Sequence, residues 1–487
     1  MFAIVDVDNK SKEFFLSQNL VKFQKLWFIR DHISKPTKRI DLEYLISFEK
    51  KYDVNLWLLT YSDRDLSQLD NYYRFRSDEI LSIFEQNCKF FESIFDEVQP
   101  DFIILRPTDD FQTEILHKMC KSKKIGILTL NATRIGSRGI ISQTTDFFDT
   151  PFDPSKINVD NIKTFEELSD YIRKYRDGVK KFTHKAGFST LKRLKASFKF
   201  FVSYYDSNYT SYFRNYGKTR LRILIREGQI SVKKWYRESF INRKSLRIVD
   251  DTKQFVYFPI HFEPERQISM LAPFYTNQVE VIANIAKSLP VNYLLYVKDH
   301  PVQATTGWKR TSFYKKILDL PNVRLIHSSV SGEEILKKCS LVITIAGTSG
   351  LEAAFYNKPS IVLMDTQYSC LSFVHRLSSM EELPKVIRTA LETKVDLSEL
   401  NKFVKFMLED SFEYDEVGLV LTLTDMFLYG GFPLLDISLL KINSFLKEYG
   451  SFFGHIALEY IKKINQIKKE NYGKQENDRK ISHKNSR

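Results

Sequence analysis

Between Phe255 and Asp365 the chain alternates as strand, helix, strand, helix, strand, helix, strand, and three of the strands end in small or reactive residues. Phe255–Phe262 ends at Glu263-Pro264-Glu265, Tyr293–Lys298 at Asp299-His300-Pro301, and Leu341–Ile345 at Ala346-Gly347-Thr348-Ser349-Gly350. Strands that alternate with helices pair in parallel, and in an open parallel sheet the ligand crevice lies beyond the carboxyl ends of the strands. Three polar clusters are therefore expected to face one crevice.

The last cluster has the clearest physics. Gly347 and Gly350 permit a tight turn and close backbone approach, and Thr348 and Ser349 can cap a helix beginning near Leu351, whose N–H groups and positive dipole end then face outward. That describes an anion site suited to phosphate. Lys298 and His300, expected at the neighbouring strand end, would add cationic donors.

A chain of 487 residues exceeds one hydrophobic core, and 43% hydrophobic with 14% aromatic residues supplies material for two α/β units. Phe2–Val7, Asn55–Thr60, Asp101–Leu105 and Ile125–Leu130 read as strands, with helices over Ser77–Val98 and Asp110–Lys121. The strand ends there carry Arg106-Pro-Thr-Asp109-Asp110 and a donor-rich loop containing Arg134 and Arg138, candidates for the acceptor or anion side.

The net charge of +13 is unevenly placed. Tyr171–Asp250 holds 21 Lys and Arg against 5 Asp and Glu, and Ile461–Arg487 holds 9 against 3, so the basicity sits in an insert and a tail. A nucleic-acid-binding fold carries its charge on the reading surface; no nucleic-acid partner is expected here. Within the insert Phe188, Leu191, Leu194, Phe198, Phe201 and Tyr205 recur at helical spacing beside Lys192, Arg193, Lys195 and Lys199, a pattern suited to an anionic membrane surface. The boundaries expected are 1–150, an N-terminal Rossmann-like acceptor-side domain; 151–250, a basic, mainly helical insert; 251–395, a C-terminal Rossmann-like nucleotide-sugar-binding domain; 396–460, C-terminal helices; and 461–487, a basic disordered tail.

Cys88, Cys120, Cys339 and Cys370 lie far apart, which favours buried thiols over a zinc site. The start Met1-Phe-Ala-Ile-Val-Asp6 lacks a basic n-region, and no segment reaches about 18 uncharged apolar residues. A cytoplasmic protein, peripheral at the inner face of the membrane, is the expectation. Asp6-Val7-Asp8 matches Asp-x-Asp metal and nucleophile patterns, but Asn9-Lys10 follows, and residue six precedes any nucleotide-binding half-domain. A metal is not expected.

The run Phe258-Pro-Ile-His261-Phe-Glu263-Pro264-Glu265, then Tyr296-Val-Lys298-Asp-His300-Pro301, then Gly347-Thr348-Ser349-Gly350-Leu-Glu352-Ala with Lys358-Pro359, resembles the capsule polysaccharide biosynthesis family of bacterial GT-B glycosyltransferases, which includes enzymes using CMP-linked Kdo. The His-Pro and Thr-Ser motifs are also similar to those of bacterial sialyltransferases. The resemblance implies a GT-B-like α/β fold of two Rossmann-like parallel-sheet domains facing a cleft, to which the pattern along the chain adds a basic helical insert and C-terminal helices. It implies a nucleotide-sugar donor, with a CMP-sugar favoured, as co-substrate without a cofactor, and a glycan or lipid-linked glycan acceptor. His300 and Pro301 would then shape the donor-phosphate loop, Thr348 and Ser349 would bind phosphate, and Glu352 would reach ribose or base. Two departures stand out: Glu263 occupies a position where Gln is common, and Asp109-Asp110 is followed by Phe111 rather than Gly.

Glycosyl transfer needs a stabilised leaving group and a carboxylate that acts as base or nucleophile. Asp109 and Asp110 are the first candidates for the carboxylate, Glu263 and Glu265 the second. Polyol-phosphate transfer, sugar-nucleotide epimerisation and non-enzymatic nucleotide-sugar or glycan binding are the alternatives.

Overall fold

The computed structural model describes the chain except for residues 8, 37–38, 69–71, 134, 146, most of 174–211, 251, 264–265, 306–307, 430–431, 434–437 and 486–487, and except for the side chains of 471–485 and of some residues flanking those stretches. Arg134, Glu265 and most of the Phe188–Tyr205 stripe lie outside the described residues.

The N-terminal unit has two small sheets. Strands β1 (Phe2–Val5) and β2 (Lys25–Phe28) pair in parallel, as do β3 (Phe102–Ile104) and β4 (Gly126–Ala132). Strand β5 (Arg138–Ser142) turns back antiparallel on β4, so the donor-rich loop read from the sequence as the acceptor or anion side connects a hairpin. Helix Ser77–Val98 has the bounds expected and buries Ile80, Phe84, Cys88, Phe91 and Phe95, the spacing of one helical face.

Asn55–Thr60 is not a strand. Asn55 accepts a hydrogen bond from the Leu58 N–H at 2.8 Å and caps the helix Leu56–Ser62. Leu56, Leu59 and Thr60 are buried while Trp57 and Tyr61 are exposed, a period near 3.6 rather than 2. An apolar run this short does not separate the two periods by hydrophobicity alone.

The C-terminal unit is one six-stranded sheet. Its strands are β6 (Phe255–Ile260), β7 (Leu294–Asp299), β8 (Val323–Ile326), β9 (Leu341–Thr344), β10 (Ser360–Val362) and β11 (Val374–Arg376), in spatial order β11-β10-β9-β6-β7-β8 and all parallel. This doubly wound order reverses between β6 and β9, where the crevice of such a sheet opens. Phe255, Val256, Phe258 and Ile260 on β6 are buried, as expected for a strand covered on both faces.

Two connections tie the units together. Tyr212 and Phe213 are buried in the N-terminal core, and the helix Arg220–Lys244 that follows carries Ile241 into the C-terminal core. At the other end, β12 (Phe412–Glu413) adds antiparallel to β5, and helix Leu439–Asn485 packs Tyr460, Ile464 and Ile467 against Leu128 and Ile141. The helix therefore continues through the stretch expected as a disordered tail from 461. Ile464 and Ile467 anchor its continuation, and the pairs Lys462–Glu459 and Gln466–Glu470 lie along it. The α/β class holds, with two units bordering a pocket and helices at the C-terminal end; the N-terminal unit, expected as a parallel Rossmann-like sheet, has instead a two-stranded parallel sheet and a mixed four-stranded one. Cys88, Cys120 and Cys339 are buried, whereas Cys370 is exposed. No helix among the described residues is long and apolar enough to cross a membrane.

Candidate functional site

The crevice at the switch point is built around the loop that leaves β9. Thr344, fully buried at the end of β9, accepts a hydrogen bond from the Gly347 N–H at 3.1 Å and meets His261 Nε2 at 3.1 Å. A Cβ on Gly347 would stand 2.7 Å from Thr344 Oγ1 and 3.0 Å from His261 Cε1, and one on Gly350 would stand 2.6 Å from the Tyr368 hydroxyl. Neither glycine adopts a positive φ. Lack of space, rather than backbone freedom, demands glycine at both. The Tyr368 hydroxyl donates to the Gly347 carbonyl and closes the loop from the far side.

Helix Ser349–Ala354 follows directly, starting two residues earlier than expected and running only six residues. Its dipole is correspondingly small, because the macrodipole is a sum over aligned peptides. Thr348 makes no side-chain cap hydrogen bond; its hydroxyl meets Glu352 Oε1 at 3.2 Å. Thr348 and Glu352 both line a pocket of about 240 Å³ between the two units. Asn131 and Thr133 line it from the N-terminal unit, and Asp365, Thr366 and Gln367 line it from the loop after β10. Arg266 borders it too, and its guanidinium donates to the Thr108 carbonyl at 2.8 Å across the domain boundary.

Lys298 and His300 do not end the strand next to β9. Strand β6 lies between, so the His300 loop stands two strand spacings, roughly 10 Å, from the Thr348 loop. Hydrophobic alternation identifies strands but leaves their lateral order open, and a doubly wound sheet sets its fourth strand beside its first. Lys298 is buried, paired in register with Pro259 and Ile326. His300 accepts the Val302 N–H on Nδ1 at 3.3 Å, and Pro301 starts the helix Pro301–Thr305.

Between them runs a polar network. The Lys309 ammonium, 7% exposed, pairs with Glu263 at 3.0 Å and donates to the His261 carbonyl at 3.3 Å. Gln278 donates to Glu263, and its Oε1 accepts the His261 N–H at 2.8 Å. Asp299 accepts from the Tyr314 hydroxyl, and burial pushes its carboxyl up to about 6 despite Lys309 nearby. Glu263 is thus a partner in an ion pair that fastens the β6 loop.

The N-terminal carboxylates are held more tightly still. Asp110 caps helix Phe111–Ser122, accepting from the Thr113 N–H at 2.8 Å. It pairs with Arg214 at 2.9 Å and also with Arg106. Burial alone would raise its carboxyl, but Arg214 and Arg106 outweigh that and hold it below the ordinary range. Asp109 meets Arg64 and Arg106, each at 3.3 Å, and retains partial exposure. Arg138 donates to Ser411 Oγ at 2.7 Å and the Leu408 carbonyl at 2.8 Å, joining β5 to the C-terminal segment. Asp6 pairs with Arg30 at 2.9 Å and accepts from the Tyr212 hydroxyl at 3.1 Å. Among the described residues no group of three His, Cys, Asp or Glu is placed to hold a metal ion.

Sequence reasoning missed His261, Gln278, Lys309, Tyr368 and Arg266. His261 stood inside a quoted motif and was the one visible signal; the others become neighbours only through the fold.

The family model for capsule polysaccharide biosynthesis proteins matches residues 165–376. A search of curated proteins found no match. Among solved structures the chain is similar to KpsC, a beta Kdo 2,7 transferase of Thermosulfurimonas dismutans, at 12% identity, covering 64% of this chain and 78% of that one with a TM-score of 0.30. A UDP-GlcNAc 2-epimerase from Neisseria meningitidis shares 11% identity over 84% of this chain and 99% of its own, TM-score 0.27. One from Methanocaldococcus jannaschii shares 14% over 70% and 83%, TM-score 0.26. Scores this low carry no argument, and the fold rests on the strand order above. Over residues 165–376, the stretch that holds the β6, β7 and β9 loops, the chain carries the pattern of the capsule polysaccharide biosynthesis family.

Proposed function

We propose that this protein is a glycosyltransferase that moves a sugar from a nucleotide-activated donor, with a CMP-sugar favoured, to a growing surface polysaccharide or lipid-linked glycan. The observation that carries the reading is the pocket between the units, which has Thr348 and Glu352 on one wall and Asn131 and Thr133 on the other. The family match covers the stretch that builds the first wall.

In this reading the Gly347–Gly350 loop, with the hydroxyls of Thr348 and Ser349, holds the donor phosphate as negative charge develops on the leaving group. Such preorganised donors act on the transition state without reorganising. Glu352 takes a hydroxyl of the nucleoside. His300, two strands away, contacts the phosphate only if donor binding draws its loop inward. Asp109 is preferred over Asp110 as the group that activates the acceptor hydroxyl. It keeps partial exposure two residues from Pro107 on the pocket wall, whereas Asp110 is buried and caps a helix. The reading uses no metal and no other cofactor, and the acceptor's lipid sets the protein against an anionic membrane surface.

Thermal unfolding of the full chain with CMP, UDP, GDP or CDP tests the donor. A nucleotide present at 100 times its Kd stabilises by about 2.7 kcal/mol, and CMP is expected to do so. Ser349→Ala should remove roughly 1.5–3 kcal/mol of that affinity. Asp109→Asn should lower transfer from the CMP-sugar by about 10²-fold or more while leaving CMP binding intact. If no nucleotide shifts unfolding, the pocket is not a donor site; if a nucleotide sugar is isomerised with no acceptor present, the epimerase reading replaces this one.

A further inference from the structure

The helix Arg220–Lys244 carries eight Lys and Arg against two Glu. Its exposed residues include Leu221 at 61%, Ile225 at 52%, Val232 at 68%, Trp235 at 73% and Tyr236 at 51%. At 3.6 residues per turn these five positions fall within an arc of about 100° along one side of the helix. Arg222 and Lys233, both exposed, run along one margin of that arc, and the Arg226 guanidinium beside them lies 4.7 Å from the Tyr72 ring centre. Apolar residues scattered singly over a surface need no explanation; five in register on one helix do.

The opposite side fixes the helix to the rest of the molecule. Ile241 enters the C-terminal core and Arg237 donates to the Trp308 carbonyl at 2.8 Å. The apolar arc therefore cannot roll inward without breaking these contacts.

We propose that this arc docks on an anionic lipid bilayer, with Val232, Trp235 and Tyr236 entering the headgroup region and Arg222 and Lys233 meeting lipid phosphates. Charge complementarity selects this occupant. A helix with an apolar stripe, Trp and Tyr at its edge and basic residues alongside is the pattern of one lying in the membrane plane, and anionic lipid attracts each nearby Lys or Arg. A protein partner would favour a core depleted of Lys. The inference deepens the lipid-linked acceptor of the proposed function, on which it rests for its purpose alone: vesicle binding reads it without any sugar transfer. Because the helix joins both units, docking also sets the orientation of the pocket relative to the membrane.

Full-length protein is mixed at low salt with vesicles of phosphatidylglycerol and phosphatidylcholine, and separately with phosphatidylcholine alone, and then sedimented. Binding to the anionic vesicles alone is expected, with a blue shift of Trp emission that Trp235→Phe largely removes. Val232→Glu with Trp235→Glu, and separately Arg222→Glu with Lys233→Glu, should each lower the bound fraction about tenfold or more, while the shift in unfolding temperature with CMP stays unchanged. Wild-type protein that ignores anionic vesicles overturns the proposal, as does undiminished binding by both double variants. A wild-type dimer that dissociates in the Val232→Glu, Trp235→Glu variant also overturns it and assigns the face to a second copy. Loss of the CMP response in wild-type protein would refute the donor site and leave the docking result standing.

Discussion

The two α/β units treat the polar residues at their strand ends in opposite ways. In the C-terminal unit Thr344, Gln278 and Lys309 bond to backbone groups and the His261 ring meets the Thr344 hydroxyl, so that they fasten loops and leave the wall formed by Thr348 and Glu352 open to the pocket. In the N-terminal unit Asp63, Asp65 and Asp110 converge on Arg214, a residue brought in from within the basic insert. One set holds a loop around a space, and the other fills the space with counter-charge. Carboxylates of equal promise in the sequence thus have unequal freedom, because a buried carboxylate must be neutralised before anything else.

The sharpest way to break the comparison is to remove that counter-charge. Arg214→Ala should lower stability to urea by about 3–5 kcal/mol, since it strands the buried Asp110 carboxylate and removes the partner of the half-buried Asp65. A loss under about 1 kcal/mol would mean that the cluster behaves like a surface ion pair.

Titration sharpens the same contrast. Asp63 is buried, and desolvation pushes its carboxyl up to about 6 in spite of Arg214. The folded state therefore holds a proton that the unfolded state has already released between about pH 4 and pH 6. Asp63 then makes the fold more stable as the pH falls through that window and less stable as it rises through about 6. The difference in stability between wild type and Asp63→Asn should change by up to about 3 kcal/mol across this range. A flat difference would refute the assignment.

In the C-terminal unit the counterpart is a single methyl group. Gly347→Ala should destabilise by about 1–3 kcal/mol through overpacking against Thr344 and His261 and should weaken any nucleotide response. Gly332→Ala, where an added Cβ meets nothing within 4 Å, serves as the control. Equal behaviour of the two variants in thermal unfolding would remove the steric argument.

The smallest effect belongs to the boundary between the units. Arg266→Ala deletes the donor to the Thr108 carbonyl and should lower stability by about 1 kcal/mol. If Arg266 also positions the two walls of the pocket, nucleotide affinity will fall by more than stability does; parallel losses would limit it to a structural link.

What local sequence determined is what local physics can determine. The alternation over Phe255–Asp365, the helix Ser77–Val98 and the glycines of the β9 loop were all legible, because side-chain period and the need for space act within a few residues of their cause. Thr348 could be placed on a strand-end loop and Glu352 in the helix that follows it for the same reason. Tertiary structure alone decided that β6 separates the His300 loop from the Thr348 loop and that Asp110 is claimed by a residue 104 positions away. Strand order and ion-pair partners depend on which surfaces meet when the core closes, and hydrophobic periodicity along the chain carries no record of that meeting.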